Sequence, residues 1–273
     1  MSAVLPVSVV VVTKNEAQQI VACLETLKDF DEILVVDSQS TDTTQEIARE
    51  CGARVESFVW DGKYPKKRQW ILDNVSLKHD WVFFVDADEI VTPDLVDEIH
   101  RLFEKGSPVC AGYFVTGRYL IDGRVLRFGM PNRKIALLNK TKMEFPVVND
   151  IDIPGMGEIE GHYQPVLKNS SDKIGLLETY LIHDAFDDER AWTFRHEKYA
   201  RWEAGMTLKN AWPTDPVPWR EAVKKALRGS KFRPELIFFL GFVLKMGFLD
   251  GKMGKKLAVS KYRYYKLIRY FTK

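Results

Sequence analysis

Cysteine is scarce. The 273 residues hold three, Cys23, Cys51 and Cys110, an odd number without C-x-x-C spacing. That excludes a disulfide framework and a zinc knuckle and fits a reducing compartment. The glycine signature G-x-G-x-x-G does not follow the first apolar run, so a dinucleotide-binding reading loses its main support. Internal repeats and low-complexity tracts are absent. The opening stretch MSAVLPVSVVVVTKNE has no basic region before its short apolar run and no A-x-A-like site after it, so Val7–Val12 is expected to be a buried strand and not a secretory signal. No uninterrupted run approaches the roughly 20 apolar residues that cross a bilayer.

What is present is an ordinary soluble composition, 45% apolar and 29% charged, with ample material for a core. Through the first hundred residues β-branched runs alternate with helical patterns, the signature of βαβ units and a parallel sheet. Strands are expected at Val7–Val12, Ile33–Val36, Val55–Val59 and Trp81–Val85. Between them, Ile20, Leu24 and Leu27 fall on one helical face. Asn15 with Gln18, and Asp42 with Gln45, have the spacing of capping boxes. Thr92-Pro93 opens another helix. From Gly112 the texture changes: YFVTGRYLIDGRVLRFG carries a D-G turn between two strand patterns and predicts a hairpin. The middle of the chain is expected to be mixed, and helical periodicity returns near Ala191. Residues 1–220 are read as one α/β domain and 221–273 as a basic helical extension.

Ligands of open α/β sheets sit beyond the carboxyl ends of the strands. Thr13, Asn15 and Glu16, then Asp37, then Asp86, Asp88 and Glu89 all fall there. In WVFFVDADE three carboxylates crowd one strand end and call for positive charge. A solvated loop is the bland alternative, but a buried strand and a proline-started helix fix this segment. A phosphatase of the haloacid dehalogenase type also begins with hhhhDxD, yet needs Thr or Val where this chain has Ile90. Hard divalent cations such as Mg²⁺ and Mn²⁺ take one or two carboxylates and complete their shells with water and phosphate, so a metal that also binds a diphosphate fits the pair Asp86 and Asp88.

VSVVVVTKNE, ILVVDSQSTDTT and WVFFVDADE, in this order, resemble the family 2 glycosyltransferases, whose fold is GT-A. The similarity continues through EGHYQP, LIHD, RHEKYA and GFLDGKMG and is to bacterial members that build lipopolysaccharide, capsule or other surface glycans. RKIALLNK, residues 133–140, departs from the R-L-F-R-like run of many relatives. The resemblance implies a metal-dependent, inverting transferase of hexosyl type. Thr13, Asn15 and Glu16 would lie beside the nucleotide and Asp37 on the base, where a carboxylate accepts from uracil N–H and favours a UDP-sugar. Asp86 and Asp88 would be the DXD motif, and His183 a further ligand to Mg²⁺ or Mn²⁺. Lys66, Lys67 and above all Arg68 would face the diphosphate.

A base must take the acceptor's hydroxyl proton. Asp150, Asp152, Glu158 and Glu160 are the downstream acids. In GMGEIEGHYQP the alternation predicts a strand with Glu158 and Glu160 on one side, with Glu160 the first choice and Glu158 the second. His162 is a candidate for orienting the acceptor. A GT-A-like module that binds a nucleotide-sugar without catalysis is the other class of answer.

Residues 221–273 hold 14 Lys and Arg against three Asp and Glu. No nucleic-acid-binding pattern accompanies this excess. RPELIFFLGFVLKMGFL sets apolar residues among basic ones and KYRYYKLIRYF adds interfacial tyrosines, so an anionic membrane surface is the expected partner, with the tail lying on it. The chain is then expected to be cytoplasmic and peripheral on the inner face of the cell membrane, with a lipid-linked or other glycan acceptor. A helical extension packed on the core is the structural alternative.

Overall fold

The computed structural model describes residues 4–104, 106–160, 163–184 and 189–273. In it the continuous β-branched runs become strands buried on both faces, as parallel strands covered by helices must be. The first half runs β1 (Leu5–Thr13), α1 (Ile20–Glu25), β2 (Phe30–Asp37), α2 (Thr44–Glu50), β3 (Arg54–Ser57), α3 (Lys67–Asn74), β4 (Trp81–Asp86), β5 (Glu89–Val91) and α4 (Pro93–Phe103). The expected hairpin follows as β6 (Gly112–Ile121) and β7 (Arg124–Val125), then β8 (Asn132–Asn139), β9 (Met143–Glu144), β10 (Val166–Leu167) and β11 (Ile174–His183). The chain closes with α5 (Glu189–Leu208), α6 (Pro218–Gly229), α7 (Arg233–Phe239), a π-helical turn at Leu240–Leu244, a 3-10 turn at Gly247–Asp250 and α8 (Gly251–Phe271).

The main sheet is ordered β3-β2-β1-β4-β8-β6-β11-β5, with β7 paired to β6. β3, β2, β1 and β4 are all parallel. Beyond β4 the pairing is mixed, because β8 runs antiparallel to both β4 and β6. Val7, Val9 and Val11 point into one core layer with Ile20, Leu24, Leu95 and Ile99 of α1 and α4. Val10, Leu34, Val36, Val82 and Phe84 point into the other, with Ile71 of α3. Thr92 caps α4, its hydroxyl accepting the Leu95 N–H at 3.3 Å, and Pro93 takes the first position where a missing N–H costs nothing.

Neither expected capping box forms in full. α1 begins only at Ile20 without a side-chain cap, and at the start of α2 Asp42 Oδ1 accepts the Thr44 N–H at 3.1 Å while Gln45 turns away to Asp37. Asn15, at φ 59°, instead accepts the Thr41 N–H at 2.8 Å, and the Asp42 carboxylate accepts the Ala17 N–H at 3.3 Å. These side chains tie the β1–α1 loop to the β2–α2 loop.

The boundary expected at residue 220 falls inside α6, and helical packing starts earlier. α5 contributes Trp202 and Met206 to a cluster with Val148, Ile153 and Met156, and Ala200 and Ala204 to another with Tyr264 and Ile268 of α8. The segment GFLDGKMG is a clip. Asp250 accepts the N–H groups of Arg127 at 3.0 Å and Phe128 at 2.8 Å, fastening the helical region to the loop after β7.

Candidate active site

Register decides which side chains meet. Thr13 pairs with Asp37 across β1 and β2, and Val12 with Asp86 across β1 and β4. The polar residues that end three strands therefore share one sheet edge. β8 passes β4 in the opposite direction with Phe83 opposite Leu137. Extending that register to the end of β4 brings Lys134 level with Asp86. From the far side, β11 sets His183 opposite Glu89 of β5 and Tyr119 of β6.

The positive charge that the acidic cluster calls for comes from the chain itself. Arg68 Nη2 donates to Asp86 Oδ1 at 2.8 Å, and Lys134 Nζ to Asp86 Oδ2 at 2.5 Å. Lys134 also donates to Glu89 Oε2 at 2.8 Å, the same oxygen that accepts the Asp86 N–H at 2.9 Å. Burial would raise the Asp86 carboxyl, but Lys134 and then Arg68 outweigh it and hold the group well below the usual carboxylate range. For Glu89 burial wins over Lys134 and the carboxyl is pushed up. Lys134 and Arg68 are drawn down by burial, and the surrounding acids together, Asp86 foremost with Glu89 and, for Arg68, Glu160, raise them on balance. Both Asp86 oxygens are thus engaged by Arg68 and Lys134, whereas Asp88 is paired elsewhere.

Asp88 faces the other way. Its Oδ2 lies 3.2 Å from His183 Nε2, and the imidazole stacks on Tyr119 with ring centroids 5.4 Å apart. Burial lowers the His183 pKa, and the Asp88 carboxylate more than reverses this. The Asp88 carboxylate oxygen is of the kind that suits Mg²⁺ or Mn²⁺, and the imidazole nitrogen facing it could join a donor set only in its neutral form. Among the described residues no three His, Cys, Asp or Glu side chains are grouped to hold an ion.

The residues expected beside the nucleotide chiefly shape its loop. Asp37 is buried and accepts Thr13 Oγ1 at 3.0 Å, Ser40 N at 2.8 Å, Gln45 Nε2 at 2.7 Å and the Ser40 hydroxyl. Burial raises its carboxyl, and these bonds together lower it further than burial raises it. The Asn15 N–H donates to Ser40 Oγ at 2.7 Å and the Glu16 N–H to Thr44 Oγ1 at 2.8 Å. Of the basic run only Arg68 reaches the sheet edge, where it pairs with Asp86. Lys66 is sealed against Asp150 at 2.7 Å, where Tyr64 and Trp202 also donate, and Lys67 pairs with Glu158 at 3.0 Å. Asp152 is paired with Lys209.

Residues 156–160 form turns and not the expected strand. Glu160 folds over the start of α3, where its Oε1 accepts the N–H groups of Arg68 at 2.8 Å and Gln69 at 3.1 Å. Its Oε2 is buried with no hydrogen-bond partner among the described residues, and burial pushes the carboxyl up despite Arg68. Glu158 and Glu160 are therefore not a matched pair on one strand face. His162 lies outside the described residues.

Two residues of this site escaped the sequence reading. Lys134 stands in the one segment that departs from the relatives' run, a lysine entering an otherwise apolar strand. Tyr119 precedes the D-G turn without any local signal.

A family model described as "Glycosyl transferase family 2" matches residues 8–148. The chain therefore belongs to glycosyltransferase family 2, and the sheet that carries its acidic strand end is that of the GT-A fold. Among curated relatives, an uncharacterized glycosyltransferase of Rickettsia bellii (strain RML369-C) is 39% identical over 98 residues, covering 36% of this chain and 32% of the relative. The SPbeta prophage-derived glycosyltransferase SunS of Bacillus subtilis (strain 168) is 31% identical over 96 residues, 34% of this chain and 22% of that protein. The chain spans about a third or less of the curated relatives it matches. Among solved structures, S. aureus TarS 1-349 in complex with UDP-GlcNAc is 15% identical over 97% of this chain and 90% of that one, with a TM-score of 0.47. Glucosyl-3-phosphoglycerate synthase from Mycobacterium tuberculosis, in complex with Mn²⁺, UDP and glucosyl-3-phosphoglycerate, is 28% identical over 41% of this chain and 43% of that one, with a TM-score of 0.32.

Proposed function

We propose that the protein is an inverting, metal-dependent glycosyltransferase that moves a sugar from a nucleotide-sugar, in first place a UDP-sugar, to a lipid-linked or lipopolysaccharide-type acceptor in surface glycan synthesis at the inner face of the cell membrane. The observation that carries this reading is the Asp88–His183 pair, 3.2 Å apart, beside an Asp86 already neutralised by Arg68 and Lys134.

In this reading Asp88 and His183 hold the Mg²⁺ or Mn²⁺, which when bound supplies charge to a departing diphosphate. Arg68 and Lys134 keep Asp86 ionised and fix the strand end, so the acidic cluster does not collapse by self-repulsion. The loop braced by Asp37, Thr13 and Asn15 presents the nucleotide-binding edge. The acceptor oxygen attacks the anomeric carbon on the face opposite the diphosphate, the carbon–oxygen bond to the diphosphate breaks, and the hydroxyl proton passes to a carboxylate. Glu160 is that base: one oxygen is anchored on α3, the other is unbonded, and burial raises its proton affinity toward the working range. Glu158, paired with Lys67, is the second choice.

The test is calorimetric titration of a nucleotide-sugar panel, with Mn²⁺ and with chelator, followed by product analysis. Binding of at least one UDP-sugar that weakens on chelation, with release of the nucleoside diphosphate, is the expected result. No preference among nucleotide-sugars with either ion would overturn the reading, and binding without turnover would point to the non-catalytic module.

A further inference from the structure

We propose that the helical turn region between Arg233 and Asp250 is a docking wedge for an anionic lipid bilayer. The inference rests on the proposed membrane-held acceptor only for its purpose; the surface itself is read from packing and charge.

The wedge is seated through backbone. A Cβ added at Gly247 would lie 2.7 Å from the Gly241 carbonyl oxygen and 3.5 Å from the Gly129 Cα, and one at Gly254 only 1.9 Å from the Gly247 carbonyl oxygen. The Gly129 N–H donates to the Lys245 carbonyl at 2.8 Å, and Asp250 takes two more N–H groups from the same loop. Contacts this close leave no room for large side chains on the inner side. Phe239, Val243, Leu244, Met246, Phe248 and Leu249 are accordingly turned outward, from 41% exposed at Val243 to 60% at Leu244. Met246 has a left-handed φ of 53°, and the π-helical and 3-10 turns around it carry these exposed side chains within one short stretch of chain. Such a concentration of exposed apolar groups marks an interaction surface.

Charge selects the occupant. Lys245, Lys252 and Lys255, within or just after the turn, are exposed. The nearby acids are spoken for, Glu235 by Arg269 at 3.2 Å and Asp250 by backbone. A second copy would press like charges together, whereas anionic headgroups complement them. Lysine stems can lie along the apolar surface while their ammonium groups reach the headgroups. Among the described residues no helix is long and apolar enough to cross a membrane, so the wedge enters one leaflet only.

Flotation of the full chain with phosphatidylcholine vesicles, with and without phosphatidylglycerol, tests this in the absence of donor and metal, so failure here leaves the nucleotide-sugar reading standing. Each lysine near an anionic surface contributes roughly five-fold in affinity. The expected result is binding at least ten-fold stronger with phosphatidylglycerol, lost on combined Phe239→Ser, Leu244→Ser and Phe248→Ser substitution while the melting temperature and UDP-sugar binding stay unchanged. Should that variant unfold, Lys245→Glu with Lys252→Glu and Lys255→Glu must give the same loss. Absence of vesicle binding at low ionic strength overturns the proposal. So does a stable dimer, by light scattering, that the serine variant dissociates.

Discussion

Replacing Lys134 by methionine keeps most of the side-chain stem and removes a cation that touches both Asp86 and Glu89. Arg68 then faces Asp86 alone, and Glu89, 0% exposed, is left without a cationic partner. Removing one member of a buried ion pair costs about 3–5 kcal/mol. Lys134 keeps 17% of its side chain exposed, so the lower end, about 3 kcal/mol, is expected. At roughly 2–4 °C per kcal/mol for a chain of this size, the melting temperature falls by about 6–12 °C.

The loss depends on pH with a definite sign. The Glu89 carboxyl is raised above its ordinary value of 4.5 by burial, against the opposing pull of Lys134, and loss of Lys134 raises it further. The native state then binds more protons than the unfolded one, so stability falls as pH rises from the ordinary value through the folded one. Scanning calorimetry at about pH 5 and about pH 8 should show the larger deficit at the higher pH. Lys134→Arg should recover most of it. A methionine variant that melts within ~1 °C of the parent at both values would falsify the clamp.

If His183 is a ligand as proposed, His183→Ala should weaken Mn²⁺-dependent donor binding by calorimetry at least about ten-fold while binding in chelator is unaltered; equal loss in both conditions refutes the assignment. Glu160→Gln keeps an acceptor for the N–H groups of Arg68 and Gln69 but no longer takes a proton. Donor affinity should hold and turnover should fall by about 10²–10⁴-fold, with full activity excluding Glu160 as base. Gly254→Ala drives a methyl into the Gly247 carbonyl and should destabilise by about 1–3 kcal/mol or more, read as a lower melting temperature; an unchanged value contradicts the close backbone seating.

The parallel half of the sheet was legible because doubly buried strands read as uninterrupted β-branched runs, and Thr92-Pro93 announced α4 through purely local chemistry. Asn15 and Asp42 misled for the opposite reason. Their residue types favour caps, but the Asn15 oxygen is used across 26 residues of sequence, and Asp42 divides its oxygens between the local Thr44 N–H and the Ala17 N–H 25 residues away, a competition that no local pattern reveals. Glu158-Ile159-Glu160 has the alternation of a strand, yet the N–H groups at the start of α3 draw Glu160 into a turn. Lys134 needed the antiparallel register of β8, 48 residues from Asp86, before its ammonium could be placed. Asp88 was read from its place at the strand end and His183 from the family resemblance, and β11 beside β5 explains why they meet.

Lys261 of α8 lies over the Tyr119 ring at 5.0 Å, and that ring backs His183. Burial pushes the Lys261 ammonium down to about 8, and its Nζ donates to the Met130 carbonyl at 2.9 Å. The last helix is thus a buttress behind the imidazole, reached from the opposite end of the polypeptide. Trimming the chain to its family-defining front portion would take away that support, and such a fragment would have to orient its histidine unaided.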